Sequence, residues 1–178
     1  MLLVASMALA SGCIFSPDKK PPTVKPPVIY PPQTSPLSTL EKLALAYEAR
    51  DSIATFAVYD QDYAGTSTDP SQPTPIVEFT RAQEVSHVKR LHDDPNIVGV
   101  TLDLGPSNTW TELPPNASDP PEWRIITTNF QLVEITVGGG TSNNNFRSSN
   151  QQIEWAFKPT TVGSTTTWTV IRWTEIAN

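Results

Sequence analysis

The sequence predicts an α+β domain in which short helices come first and an antiparallel sheet follows. Up to Pro95 the apolar residues recur three and four positions apart, which is the spacing of one helix face. After Pro95 they alternate with a period of two, as in half-buried strands. Because a helix buries one stripe and a sheet buries one face, we expect the helices to pack on the sheet around a single core.

Two short helices separated by a kink are predicted at the start of the domain. Ser38 and Glu41 have the form of a capping box, which predicts a first helix over about 38–50. Ser52 is placed to cap a second helix. The side chains expected to face the core are Leu40, Leu43, Ala44, Tyr47, Ile53, Phe56 and Ala57.

A third helix is predicted further along the chain. Thr80 and Gln83 form another capping-box pattern, and this helix should end near 94–95. Its core-facing side chains are expected to be Val85, Val88 and Leu91. The segments before it are predicted, in order, as a short strand or turn over 59–65, irregular chain over 67–75 and a brief edge strand over 76–79.

The second half of the domain is predicted to consist of strands. Alternating apolar residues run from Val98 to Leu104, and a longer strand covers 123–137. The apolar residues of the longer strand change face near Leu132, which indicates a bulge. The remaining segments are predicted as a proline-rich excursion over 106–121, a loop over 138–150, and a final hairpin with strands over 153–157 and 166–176 joined by a turn over 159–165.

The beginning of the chain resembles the export signal of a bacterial lipoprotein. Residues 1–12 are apolar and uncharged, and they precede Cys13, the only cysteine. This run is too short to cross a hydrocarbon core, which needs about 20 helical residues, so it is interpreted as a signal peptide. Residues 9–13, Leu-Ala-Ser-Gly-Cys, resemble a lipobox, which implies lipid on Cys13 as a membrane anchor. The alternative is that Cys13 is an ordinary thiol at the start of a domain.

Residues 13–36 are predicted to be the lipidated cysteine and a tether. Pro-Pro pairs recur through this segment, and proline favours an extended polyproline II conformation. At about 3.1 Å per residue, the tether reaches roughly 75 Å at most. An alternative function for the proline run is as a ligand for an aromatic-lined groove.

Residues 37–178 have a usual size for one domain. The first 36 residues contain three Lys and one Asp, which leaves the domain nine basic and 17 acidic residues. A net negative charge without a basic stripe disfavours nucleic-acid binding.

Three segments together resemble the nuclear transport factor 2-like superfamily, also called SnoaL-like. They are LEKLALAYEARD at 40–51, FAVYDQDY at 56–63 and WTVIRWTE at 168–175, and the similarity spans roughly 37–175. The resemblance implies a curved antiparallel sheet that wraps the helices into a cone with a pocket at its open end. Some members are isomerases, dehydratases or polyketide cyclases, and others bind ligands or partners without chemistry. It also implies a possible homodimer through the sheet. An all-β sandwich with a helical lid is the alternative fold.

The expected pocket residues are aromatic and acidic. Asp60 and Asp62 lie beside two tyrosines, so they are candidates for a carboxylate base with a phenol donor, or for a solvated turn. Trp168 is a further candidate for lining a cavity, although packing in the core is the more common role of such a residue. The predicted pocket consists of Tyr47, Tyr59, Asp62, Tyr63, Trp155 and Trp173.

No metal site, cofactor or catalytic residue is predicted. His87 and His92 lie five apart on the third helix, about 140° around its axis, so they do not share a face for a metal. No phosphate-binding loop or nucleophile motif is present in the sequence.

These observations predict an exported, lipid-anchored envelope protein with a non-catalytic domain that binds an unknown small molecule or protein. The alternative is a small-molecule enzyme of the isomerase, dehydratase or cyclase type that uses the cone pocket. Ile14, the residue after the cysteine, is not Asp, which resembles the sorting signal for the outer membrane in a Gram-negative cell.

Overall fold

The computed structural model of the protein describes residues 27–68, 76–128, 132–137, 144–149 and 152–176. The helices in these ranges are α1 Pro36–Ala49, α2 Ser52–Val58 and α3 Arg81–Asp93. The strands are β1 Tyr59–Thr68, β2 Ile76–Thr80, β3 Ile97–Asp103, β4 Thr111–Leu113, β5 Arg124–Thr128, β6 Leu132–Val137, β7 Asn144–Ser149, β8 Gln152–Val162 and β9 Thr165–Ile176. Helices therefore precede most of the strands, as predicted.

The helices pack against a curved, mostly antiparallel sheet, which confirms the α+β class. Six strands form one sheet in the order β2-β1-β9-β8-β5-β4, and three form another in the order β3-β6-β7. One pair, β1 with β9, is parallel, so the large sheet is mixed although mostly antiparallel. A parallel pair requires a long connection, and here most of the domain separates the two strands.

α1 begins earlier than its sequence pattern predicts. The N-cap is Ser35 rather than Ser38: the Ser35 hydroxyl accepts from the Ser38 N–H at 3.1 Å, and the Ser38 hydroxyl accepts from the Ser35 N–H at 3.1 Å. Pro36 occupies the first helical position, where its missing N–H costs nothing and its fixed φ suits the helix. The capping box therefore lies three residues before the predicted one.

α2 presents a different face to the core from the predicted one. Asp51, not Ser52, caps it, because its carboxylate accepts from the N–H groups of residues 53 and 54 at 3.0 and 2.9 Å. Ile53 is 82% exposed and Phe56 is 47% exposed, so the prediction that they point inward is wrong, as it is for exposed Ala57. The kink at Arg50, which has a left-handed φ of 56°, sets the direction of α2. Its buried residues are Ala54, Thr55 and Val58.

α3 matches its predicted start and end. The Thr80 hydroxyl accepts from the Gln83 N–H at 3.4 Å, and the Gln83 side chain accepts from the Thr80 N–H at 2.8 Å. Val88 and Leu91 are buried, and the helix ends at Asp93. A capping box is made by neighbours in sequence, which is why it can be recognised without the rest of the fold.

The long strand predicted over 123–137 is two strands in different sheets. β5 pairs with β4 and β8, whereas β6 pairs with β3 and β7. The apolar residues change face near Leu132 because the chain passes from one sheet to the other, and not because of a bulge. Strand β7 also occupies part of the segment predicted as a loop, and β4 lies within the predicted proline-rich excursion.

The final hairpin is longer and tighter than predicted. β8 continues to Val162, where it pairs with Thr165, so the turn consists of Gly163 and Ser164 rather than residues 159–165. Gly163 has a φ of +62°, which glycine adopts without a steric penalty and which two-residue hairpin turns of this type require.

One hydrophobic core joins α1, β1, β3 and the β5-β8-β9 part of the large sheet. Val98, at the start of β3, is exposed, although the rest of its predicted face is buried. The buried members of the core are Leu40, Leu43, Val58, Tyr59, Tyr63, Leu102, Leu104, Ile126, Ile153, Trp155, Phe157 and Val170. At about 25 cal/mol per Å² of apolar surface, burial of these side chains is the main stabilising contribution.

The last residues of the predicted tether contact the domain. The Gln33 carbonyl accepts from the Trp168 N–H at 2.8 Å, and its side-chain amide donates to the Trp168 and Ala57 carbonyls at 2.9 and 3.1 Å. The Tyr30 hydroxyl donates to Asp51 at 2.9 Å. The position of the boundary between tether and domain stays a prediction. In the described ranges no helix is long and apolar enough to cross a membrane.

Asp60 stabilises an irregular stretch where β1 and β9 meet. Between Tyr59 and Ala64 the register of this pair shifts, so ladder hydrogen bonds are interrupted. The Asp60 carboxylate is paired there with Lys158 at 3.1 Å and accepts from the Thr169 hydroxyl at 3.1 Å. Burial raises the pKa of Asp60, but the hydrogen bonds from the Asp62 N–H, Lys158 and Thr169 outweigh it, and the net pKa lies below its usual range.

We expect Asp60→Asn to lower the free energy of unfolding by about 1–3 kcal/mol at neutral pH, because a buried charged hydrogen-bond partner is lost. A carboxylate with a lowered pKa stabilises the fold above its unfolded pKa of 3.8, and this contribution is lost as the pH falls through the lower folded value. Urea unfolding at several pH values measures the difference. Asp62→Asn, at a side chain that is 69% exposed, is the matched control and should cost less than about 0.5 kcal/mol. Equal losses in both variants would contradict this role of Asp60.

Candidate functional site

Two tyrosines of β1 point into the cone. Tyr59 begins the irregular stretch and Tyr63 lies near its end, and their ring centroids are 4.3 Å apart at an interplanar angle of 49°. Both side chains are almost fully buried in the hydrophobic core. Such a tilted pair contributes about 0.5–1.5 kcal/mol beyond the burial of its area. The deepest part of the cone is therefore filled by rigid aromatic rings.

Two tryptophans lie on neighbouring strands beside these tyrosines. Trp155 of β8 and Trp173 of β9 are directly opposite each other in the ladder, with ring centroids 6.1 Å apart. The Trp155 indole N–H donates to the Thr128 hydroxyl at 3.4 Å. The Trp173 indole nitrogen is also buried, but it has no hydrogen-bond partner among the described residues. A buried donor without an acceptor costs about 1–3 kcal/mol, so this nitrogen requires an explanation.

Gly65 brings Tyr63 and Trp173 together. A Cβ atom added at Gly65 would overlap the Tyr63 hydroxyl and lie 3.1 Å from a ring carbon of Trp173. The absence of a side chain at this position is what lets the phenol and the indole approach the same point of β1. The Tyr63 phenol oxygen and the benzo ring of Trp173 thus meet at Gly65.

Glu84 of α3 supplies a carboxyl group to the same place. The Tyr63 hydroxyl donates to its Oε1 atom at 3.4 Å. Burial raises the pKa of Glu84 to about 7, and the hydrogen bond from Tyr63 only partly opposes this. Burial, with a contribution from the charge of Glu84, also raises the pKa values of Tyr47, Tyr59 and Tyr63, so these three phenols stay protonated.

Tyr47 and His87 form the outer edge of the group. The Tyr47 oxygen lies 3.0 Å from His87 Nε2, and the two rings are stacked at 6.2 Å. Partial burial of the His87 imidazole, assisted by the positive charge of Arg90, lowers its pKa, which favours the neutral imidazole near pH 7. We call the set of residues Tyr47, Tyr59, Tyr63, Glu84, His87, Trp155 and Trp173 the interior cluster.

The structure brings five of the six predicted pocket residues together and leaves one outside. Asp62 is mostly exposed and lies 3.7 Å from Lys158, on the outer side of the sheet with Asp60. Trp168 packs against the edge of the core and is held by Gln33. The structure therefore does not place either aspartate beside the tyrosines as a base.

Sequence reasoning did not identify Glu84, and it considered His87 only as a metal ligand. Glu84 lies four residues before Val88 and seven before Leu91, so it shares the buried face of α3, and His87 lies four before Leu91. The signal in the sequence that could have identified Glu84 is a carboxylate on a helix face that is otherwise apolar. In the described ranges no group of His, Cys, Asp and Glu is arranged to hold a metal ion.

The interior cluster has the parts needed to exchange protons and to hold a polar ligand. A carboxyl with a pKa near 7 can act as donor or acceptor at physiological pH. The protonated phenol of Tyr63 is a donor beside it, and the indole N–H of Trp173 is a further donor of the interior cluster. Tyr59, Tyr63 and Trp155 fill the space beneath, whereas Tyr47, Glu84 and Trp173 are only partly buried and His87 is exposed.

We expect Glu84→Gln to stabilise the protein by about 1–3 kcal/mol at pH 7 and above. The unfolded chain releases this proton near pH 4.5 and the folded protein near pH 7, so the folded state binds more protons between these values and wild-type stability falls as the pH rises through this window. The Glu84→Gln variant has no carboxyl to titrate at this position, so it does not lose stability over this pH range. Chemical unfolding between pH 4 and about 8 measures it.

Glu78→Gln on β2, an exposed carboxylate of the same type, is the matched control for this measurement. It should leave the pH dependence of the wild type intact. A Glu84→Gln variant that is less stable than the wild type at pH 7 would show that the carboxylate is not strained there.

No family model matches the chain, and no curated protein matches it. Solved structures align with it at low identity and with TM-scores below 0.5. ActVI-ORFA from Streptomyces coelicolor is 15% identical with a TM-score of 0.46, over 79% of this chain and 92% of the other. An NTF2-like protein with a cystatin-like fold from Novosphingobium aromaticivorans is 14% identical with a TM-score of 0.46, over 77% and 75%. A putative aromatic ring hydroxylase from the same organism is 15% identical with a TM-score of 0.49, over 77% and 82%. These similarities assign no activity to this chain.

Proposed function

We propose that this protein is an exported, lipid-anchored domain that binds a small molecule at the interior cluster without transforming it. The observation that carries the proposal is the buried indole nitrogen of Trp173, which has no acceptor among the described residues. A ligand oxygen at this position would satisfy the donor and recover its desolvation cost. The ligand class is a small aromatic or alicyclic molecule with a hydrogen-bond acceptor.

The surroundings of Trp173 favour such a ligand. Phe79 of β2 lies with its ring centroid 6.4 Å from that of Trp173, so apolar ring surface flanks the free donor. Glu84 and Tyr63 add a second polar point beside Gly65. A few polar groups within aromatic surface are the usual composition of small-molecule sites.

Binding is favoured over catalysis because the deep cone is closed by side chains. Tyr59, Tyr63 and Trp155 are almost fully buried and in contact through the core. A substrate could therefore occupy only the outer part of the interior cluster. There, Glu84 is the one carboxyl among the described residues that is hydrogen-bonded to a tyrosine of β1.

The second candidate is an acid–base enzyme, and the raised pKa of Glu84 favours it. In an isomerase or cyclase, Glu84 would remove a proton from carbon and the Tyr63 phenol would hydrogen-bond a developing oxyanion. Incorporation of solvent deuterium beside the carbonyl of a cyclic ketone, lost in Glu84→Gln, would favour this candidate. The binding proposal expects no incorporation.

Trp173→Phe should weaken ligand binding about three- to ten-fold, because it keeps an aromatic ring and removes one hydrogen bond. The probe is 4-nitrophenol, whose oxygens accept hydrogen bonds. Nuclear magnetic resonance measures its affinity and the shift of the Trp173 indole N–H signal. Trp123→Phe, at a tryptophan outside the interior cluster, is the matched control and should leave the affinity unchanged. Equal effects of the two variants would contradict the proposed site.

The order of the segments along the chain supports the proposed lipid anchor. An apolar run precedes Cys13, a proline-rich segment follows it, and Tyr30 and Gln33 attach the end of that segment to the domain. Acyl chains contribute roughly 0.8 kcal/mol for each buried CH₂ group, so lipid carrying two or more chains on one cysteine holds a domain on a membrane without a spanning helix.

Cys13→Ala should move the protein from the membrane fraction to the soluble fraction of a bacterial host, because it removes the thiol that would carry lipid. Immunoblotting of separated fractions measures the distribution. Ser11→Ala is the control, since it keeps a small residue in the lipobox and should stay with the membrane. Membrane association of Cys13→Ala at the wild-type level would refute the anchor.

A further inference from the structure

A second concave site lies beside α1 and is lined by residues other than those of the interior cluster. It is a groove of about 890 Å³ between α1, the end of β3 and the extended segment 29–32. None of the residues of the interior cluster lines it. We name it the α1 groove, and its chemically informative lining residues are Tyr30, Glu41, Leu45, Glu48, Asp103 and Trp110.

All the charged residues that line the α1 groove are negatively charged. Three carboxylates, Glu41, Glu48 and Asp103, line it, and no Lys, Arg or His residue does. In the part of the chain that the structure describes, none of the three forms an ion pair. Burial and the nearby charge of Asp103 raise the pKa of Glu48, while a hydrogen bond from the Leu102 backbone opposes this. A positive charge in the groove would relieve the repulsion between these carboxylates.

The cations nearest in sequence are held elsewhere. The Lys42 ammonium donates to the Gln33 side chain at 2.8 Å. The Arg50 guanidinium donates to the carbonyls of Leu91 and Ile97 at 3.3 and 2.7 Å. Neither side chain is available to neutralise the groove without breaking these bonds.

Two aromatic side chains line the groove with their polar atoms already bonded. The Trp110 indole N–H donates to the Leu104 carbonyl at 2.8 Å, and the Tyr30 hydroxyl donates to Asp51 at 2.9 Å. The rings of these residues are therefore the parts that can contact a ligand, and aromatic ring faces attract cations as well as apolar groups. Leu45, an exposed leucine of α1, extends the apolar area.

We infer that the α1 groove is a binding site for a small organic cation, an amine or quaternary ammonium compound with an apolar body. The carboxylates supply attraction for the charge, and the rings of Tyr30 and Trp110 supply contact for both the charge and the body. The volume lies within the range of about 300–1,000 Å³ of small-molecule sites. This site is separate from the interior cluster, and its existence does not depend on the function proposed for that cluster.

The test uses three probes that share a phenyl ring and differ in charge. They are 2-phenylethylammonium, 2-phenylethanol and phenylacetate, each titrated against the full chain at low ionic strength. We expect the ammonium to bind about ten-fold more tightly than the alcohol and the anion not to bind. The ring-proton signals of Trp110 should shift on addition of the ammonium.

Substitution of individual carboxylates identifies the residues that recognise the positive charge. Glu48→Gln and Asp103→Asn should each weaken ammonium binding about three-fold, and together about ten-fold, without changing the affinity for the alcohol. Both side chains are exposed, so the substitutions should leave the fold intact. Glu122→Gln, at an exposed carboxylate outside the groove, is the matched control, and Trp173→Phe separates this site from the interior cluster. Neither should change ammonium binding.

Three results would overturn the inference. They are absence of ammonium binding at millimolar concentration, equal binding of all three probes, and ammonium binding that survives the double variant. Binding of trilysine that the double variant abolishes, without binding of the ammonium probe, would replace the small cation with a basic peptide.

Discussion

The parallel contact between β1 and β9 is the constraint on which the rest of the domain depends. It joins the strand that follows the first two helices to the last strand of the chain, so the fold is complete only when both ends are in place. The pairing is irregular between Tyr59 and Ala64, and the side chain of Asp60 supplies the hydrogen bonds that the ladder lacks there. This irregular stretch lets both Tyr59 and Tyr63 reach the core and ends at Ala64, next to Gly65, where Tyr63 and Trp173 meet.

The interior cluster combines features that oppose stability with features that support it. The Glu84 carboxyl and the Trp173 indole nitrogen are buried at a free-energy cost, whereas the aromatic rings around them bury large apolar areas. Such costs persist when the surrounding structure fixes the groups in place, and they occur more often at binding and catalytic sites than elsewhere. The α1 groove also contains an unfavourable feature, because carboxylates of like charge lie near one another at the surface.

Local signals in the sequence predict the local parts of this fold. The Thr80 and Gln83 pair begins α3 as expected because a capping box needs only neighbouring residues. The face of α2 could not be predicted, since it follows from the left-handed residue Arg50. The change of face near Leu132 was visible, but its cause is that β5 and β6 pair with different partners far away in sequence. The aromatic members of the site were predicted from residue type, whereas the unpartnered nitrogen of Trp173 depends on atoms from several strands.

The attachment of Tyr30 and Gln33 determines where the spacer would leave the domain if Cys13 is held in a membrane. The free spacer then ends near residue 29 rather than at α1, which shortens its span to roughly 50 Å. Because residues 29–32 form one wall of the α1 groove, the spacer leaves the domain at that groove. The groove would then lie where the spacer joins the domain, within reach of the anchoring surface. There, a negatively charged lipid surface concentrates cations.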